Sequence, residues 1–146
     1  SIGYPDRAST MRILDGADVA AHSVTIEPVV SAELVVEMAQ LARTVHVDPT
    51  INDYVSRLVE ASRSATEVRL GVSVRGALAL MRAAKTLAAS NGRHYVVPDD
   101  VKALAESVLA HRLVIDAEAE FEGVTASSVI AQILIENPPP TERQAV

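Results

Sequence analysis

Apolar residues recur three and four positions apart along most of this chain, and that recurrence predicts a succession of helices. Leu34, Val35, Met38, Leu41, Ala42 and Val45 share one helical face, Glu33, Glu37 and Gln40 take the other, and Ser31 stands in front as an N-cap. Asp48-Pro49 is a cap followed by proline at the first helical position, and Ile51, Tyr54, Val55, Leu58 and Ser62 then line a face that ends near Arg63. The polar stretch Ser64 to Arg69 reads as a loop closed by Gly71. Ser73 recaps the chain into a third helix that runs to Ser90 and stops at Asn91-Gly92. Pro98-Asp99-Asp100 opens another helix, with two carboxylates where the dipole favours them and Val101, Leu104, Ala105 and Val108 as its apolar face. The last helix spans Thr125 to Glu136, carries Val129, Ile130, Ile133 and Leu134, and is ended by Asn137 and three prolines. A short helix is expected from Pro5 to Asp15, with Ala8, Met11 and Leu14 on one side and Gly16 breaking it; Ala17 to Val30 reads as an extended connector.

Two short segments, 94–97 and 113–115, have extended character and are expected to pair with each other. The fold class is therefore mainly α, a small helical bundle, with a change of architecture expected between Ala17 and Val30 and with 137–146 as a disordered tail. Of the 146 residues 49% are apolar, yet only 3% are aromatic and none is tryptophan, so one core must be built from Ala, Val, Leu and Ile. The absence of cysteine excludes disulfides, thiolate metal sites and a cysteine nucleophile, and fits a reducing compartment such as the cytoplasm. No apolar run approaches the roughly 20 residues that span a bilayer, and the opening lacks the regions of a signal peptide, so no membrane association is expected. A net charge of −6 with dispersed basic residues argues against nucleic acid as a partner. The chain opens without methionine and reads as a piece of a longer protein.

There is no GxxxxGK[ST] loop, HExxH or GxSxG, and no His and carboxylate set with metal spacing, so a free-standing enzyme is not expected, nor a metal site. His22, His46, His94 and His111 are scattered and read as surface or hydrogen-bonded residues. Asp99 and Asp100 are explained by a helix start, and Glu118, Glu120 and Glu122 by a solvated acidic turn. Arg75 is different. At 100° per residue, Ala77, Leu80, Met81, Ala84, Leu87 and Ala88 cluster on one side of its helix; Arg75 and Arg82 lie opposite, with Lys85 a quarter-turn or less away. An arginine that the core does not claim, on a first turn with unsatisfied N–H groups, is suited either to a phosphate or simply to solvent.

Four ordered stretches carry a wider likeness: Ser1-Ile-Gly-Tyr-Pro-Asp6, Gly71-Val-Ser-Val-Arg-Gly-Ala-Leu78, Gly92-Arg-His-Tyr-Val-Val-Pro-Asp-Asp-Val-Lys102 and Val108-Leu-Ala-His-Arg-Leu113. In this order and spacing the chain resembles the C-terminal part of MoxR-type AAA+ ATPases over nearly its whole length. The resemblance implies that 1–27 is the end of a nucleotide-binding core with its connector and that 28–136 is the helical lid, while the Walker A, Walker B and sensor 1 motifs are missing here. It makes Arg75, the arginine of Gly-x-Ser-x-Arg, the sensor 2 residue that contacts the terminal phosphate of ATP. The family often has proline where Val74 stands. Arg63, in a Ser-Arg pair near a family Thr-Arg pair, and Arg69 are weaker candidates for a nucleotide or interface contact. No cofactor is implied for this stretch alone; ATP and Mg are implied for the full-length protein. The implied partners are its own upstream ATPase core, neighbouring subunits of a homo-oligomeric ring, commonly a hexamer, and client proteins with von Willebrand factor A domains remodelled in a chaperone-like way. Two other readings stay open: an independent helical protein-interaction domain that never meets nucleotide, and the lid of a magnesium-chelatase-type AAA+ subunit.

Overall fold

A computed structural model describes residues 3–15 and 27–140. The chain divides into two units, Ser1–Val35 and Val36–Val146. Within the described residues of the first, Asp6 starts helix α1 (Arg7–Asp15): its Oδ1 accepts the Ser9 N–H at 2.7 Å and its carbonyl the Thr10 N–H at 2.8 Å. The helix thus begins two residues past the Pro5 start that the sequence predicts, because a capping carboxylate outranks a proline as the boundary. The expected row Ala8, Met11 and Leu14 is exposed, and α1 buries nothing. Most of the predicted 17–30 connector lies outside the described residues.

Ser31 caps α2 (Ala32–Thr44) as expected, its Oγ accepting the Leu34 N–H at 3.1 Å. Only Ala42 of this helix is buried; Leu34, Val35, Met38 and Leu41, predicted to face a core, are exposed. Asp48 caps α3 (Pro49–Ser64) through the Thr50 N–H, 2.8 Å away, and the helix buries Ile51, Tyr54, Val55, Leu58, Val59 and Ser62. The loop expected over 64–69 contains the start of a strand, β1 (Val68–Leu70). After α4 (Val74–Ser90), α5 (Pro98–Leu109) and a 3₁₀ turn (Ala110–Arg112), β1 is met antiparallel by β2 (Val114–Ile115), with Val68 opposite Ile115.

The expected pairing of 94–97 with 113–115 is therefore overturned. The two segments find other partners: Tyr95 bridges to His46, with His46 N–H on the His94 carbonyl at 2.8 Å and Val96 N–H on the His46 carbonyl at 3.0 Å. Two- and three-residue strands have no periodicity of their own, so their pairing is decided by where the helices carry them. The acidic stretch is a short helix, α6 (Ala117–Phe121), rather than a turn, and α7 (Ala126–Glu136) follows Thr125 and Ser128, which cap each other. Beyond it, the tail expected to be disordered from 137 is placed as far as Pro140, and the Pro138 carbonyl accepts both terminal nitrogens of Arg57 at 3.3 Å.

The core of the second unit lies among α3, α4, α5 and α7, where Tyr54, Leu58, Leu80, Val101 and Leu109 are the large enclosed side chains. Ala84, Ala88 and Ala105 are almost fully enclosed, so α4 and α5 approach on small residues, as a core poor in aromatics requires. A staple closes the turn between these two helices. Buried Asp100 accepts Arg93 Nη1 and Nη2 at 2.7 and 2.6 Å and also takes the Val97 N–H at 2.9 Å. Burial opposes the ionisation of Asp100, but these charge-assisted bonds outweigh it and hold its carboxyl below the usual aspartate value.

Because that pKa is depressed on folding, the stability it confers is complete above about pH 4 and lost as pH falls through the lowered value. Asp100→Ala should cost about 2 kcal/mol at neutral pH and flatten the acid side of the stability profile, measured by urea unfolding between neutral and acid pH.

Candidate functional site

Everything that presents Arg75 converges on the loop Gly71–Ser73. Ser62 is fully buried on α3; its Oγ donates to the Val59 carbonyl at 2.7 Å and accepts the Val72 N–H at 3.0 Å. The next residue completes the grip, because Arg63 Nε donates to the Val72 carbonyl at 2.8 Å. Val72 is itself fully buried, so both of its backbone polar groups needed partners, and adjacent side chains of one helix supply them. Gly71 makes the approach possible. A Cβ there would lie 2.7 Å from Arg63 Cα and from the Ser62 carbonyl oxygen, inside any real contact. Gly76 is tight in the same way against Val72 Cγ1, at 2.5 Å, with Arg112 Cδ beyond at 3.3 Å.

From this clamp α4 starts at Val74. Ser73 occupies the cap position, with φ −78° and ψ 165°, but its side chain makes no cap hydrogen bond. Its carbonyl accepts the Gly76 and Ala77 N–H groups, which sets the helix going and leaves the N–H groups of Val74 and Arg75 pointing out of the first turn. Gly76, Leu80, Ala84 and Ala88 face the core, and Arg75 is exposed, as the helical wheel has it. Among the described residues no hydrogen bond or ion pair engages the Arg75 guanidinium. A shallow groove of about 230 Å³ lies between α3 and α4, with Val55, Val59, Arg63, Val74, Leu78 and Met81 among its walls.

Of the other predicted site residues, Arg63 is brought to the same loop, where its Nε is engaged with the main chain. Arg69 lies in β1, exposed, and takes part in none of these bonds. His46 and His94 serve the extended bridge through their backbones, His111 is exposed in the 3₁₀ turn, and His22 is outside the described residues. Ser62 and Val72 were not picked out from sequence as parts of the site. The available signal was a serine on the apolar face of a helix, which needs a buried partner to be tolerated.

The fold and this loop have known counterparts. The model of the AAA lid domain family matches residues 60–133, the span from the clamp to α7. The chain belongs to the AAA lid domain family, and proteins named as MoxR chaperones are among its relatives. Among its relatives, the protein YeaC of Bacillus subtilis (strain 168) is 34% identical over 145 residues, covering 99% of this chain and 45% of that protein. Chaperone MoxR1 of Mycobacterium tuberculosis is 29% identical over 143 residues, covering 92% of this chain and 37% of that one. A crystal structure from Cytophaga hutchinsonii, assigned as an ATPase, superposes with a TM-score of 0.76 at 28% identity over 96% of this chain and 45% of its own. The chain thus spans less than half the length of these relatives.

Two substitutions test the clamp. Ser62→Ala leaves the Val72 N–H buried and unpaired and should cost about 1–3 kcal/mol in urea unfolding. Val74→Pro should instead stabilise by about 0.4–1 kcal/mol, because Ser73 already has the extended backbone that precedes proline and the N1 position needs no donor; a thermal or urea midpoint that falls would refute this reading of the helix start.

Proposed function

We propose that this chain is the sensor-bearing lid of an ATP-hydrolysing AAA+ ring, with Arg75 as the side chain that contacts the terminal phosphate. The observation that carries this is the pairing of an unengaged, exposed guanidinium with a helix start that two neighbouring α3 side chains and a glycine hold in place. Arginine presents a planar fork of donors matched to phosphate oxygens, and the open N–H groups of the first turn add a favourable dipole. The residues present thus fit a phosphate end of the nucleotide. When bound, Mg-ATP would supply the transferable phosphoryl group. Arg75 would orient that group and neutralise its developing charge, while the Ser62–Arg63 clamp ties the start of the helix that carries it to α3.

The remaining length seen in the relatives is, in this proposal, the nucleotide-binding core that carries the phosphate loop, and the ring, commonly a hexamer, forms from identical subunits. Its work is chaperone-like remodelling of clients, proteins with von Willebrand factor A domains in the family pattern. A relative called a chaperone and one assigned as an ATPase support this. The cytoplasm suits a chain with no cysteine.

In the full-length protein, Arg75→Ala should lower steady-state ATP turnover about tenfold or more. Arginines that meet a transferring phosphoryl group contribute roughly 10³ to 10⁵ where they act most directly. Arg75→Lys should recover part of the rate, keeping the charge without the fork. Unchanged turnover at saturating ATP together with unchanged nucleotide affinity would remove Arg75 from the site.

A further inference from the structure

Residues from the second half of α2 and from α4 line a groove of about 330 Å³. Met38, Ala39 and Ala42 supply its apolar wall, and Met38 is 53% exposed. Arg43, Arg82 and Lys85 stand around it, and no carboxylate lines it. Lys85 Nζ donates to the Arg43 carbonyl at 2.8 Å, which fastens the last turn of α2 to α4. The guanidinium groups of Arg43 and Arg82 have no carboxylate partner among the described residues. On a chain of net charge −6 this is a cationic, apolar-walled groove, a combination that selects a ligand with an apolar anchor set among carboxylates.

Such a ligand stands elsewhere on the same chain. Helix α6 buries no residue; it presents Phe121 at 94% exposure, with Glu118 and Glu120 before it and Glu122 after it, all exposed. We infer that α6 of one copy docks in the α2–α4 groove of the next, with Phe121 against Met38 and Ala42 and the three carboxylates facing Arg43 and Arg82. Groove and plug are different patches, so the contact is head-to-tail, the kind that closes into a ring when its rotation allows. Its use in a ring rests on the function proposed above; the contact itself needs no nucleotide.

A cysteine-free chain offers a direct test, because Thr86→Cys in the groove and Ala117→Cys on α6 are exposed and leave the contact residues intact. In nucleotide-free mixtures treated with a short thiol cross-linker, Thr86→Cys with Ala117→Cys should give more product than either variant with itself. Arg43→Glu with Arg82→Glu on the groove chain should cut that product about tenfold, as should Phe121→Ser on the other. Adding Glu118→Arg with Glu120→Arg to the α6 chain should restore yield to the charge-reversed groove. Circular dichroism checks that each exposed variant stays folded. Equal yields in all three mixtures, dominance of Thr86→Cys with itself, or indifference to charge reversal would overturn the contact. Cross-linking that persists while Arg75→Ala leaves ATP turnover untouched would count against the ATPase reading alone. Loss of cross-linking with Arg75 still required for turnover would count against this contact alone.

Discussion

Two side chains in succession on α3, Ser62 and Arg63, hold both backbone polar groups of Val72, and the presentation of Arg75 depends on that grip. Val72 sits in the core, where an unpaired N–H or carbonyl costs about 1–3 kcal/mol, so the loop has one low-energy way to cross α3. Once it crosses there, the first residue of α4 is fixed, and with it the direction in which every side chain of the helix points. The far end of α4 is held by a different interaction, the Arg93–Asp100 staple, and its middle by close packing on α5. A helix restrained at both ends moves as one body.

The helices were legible because their caps and their 3.6-residue pattern agree. Asp48-Pro49, Pro98 and the face Ile51, Tyr54, Val55, Leu58 stand in the structure as the pattern has them. What the pattern hid was nonlocal. The pairing of β1 with β2 joins segments more than forty residues apart, and neither is long enough to show alternation. In α2 the periodicity was right and its implication was not, since an amphipathic face announces that something covers it without saying that the covering lies in the same bundle. For the site, the exposure of Arg75 followed from its wheel position, whereas the clamp did not. Arg63 was a candidate through its Ser-Arg pair, and the structure adds that its Nε also donates to the Val72 carbonyl.

Electrically the chain is uneven. Its net charge is acidic, but α4 carries cations along the side turned away from the core: Arg75 at the first turn, then Arg82 and Lys85 two to three turns on. The exposed Arg75 and the α2–α4 groove are thus features of one helix, separated by about 10–15 Å of its axis.

The glycine and the double grip at Val72 also determine where the chain tolerates a change of length. An extra residue in the exposed turn at 66–67 lies outside both anchors, and the loop absorbs it at little cost. One extra residue between Val72 and Arg75 carries the guanidinium about 100° around the helix and 1.5 Å along it, while every core contact beyond must shift or the helix must bulge. Within a few positions, the same stretch passes from extensible to fixed in count, and the boundary falls where β1 begins its pairing with β2.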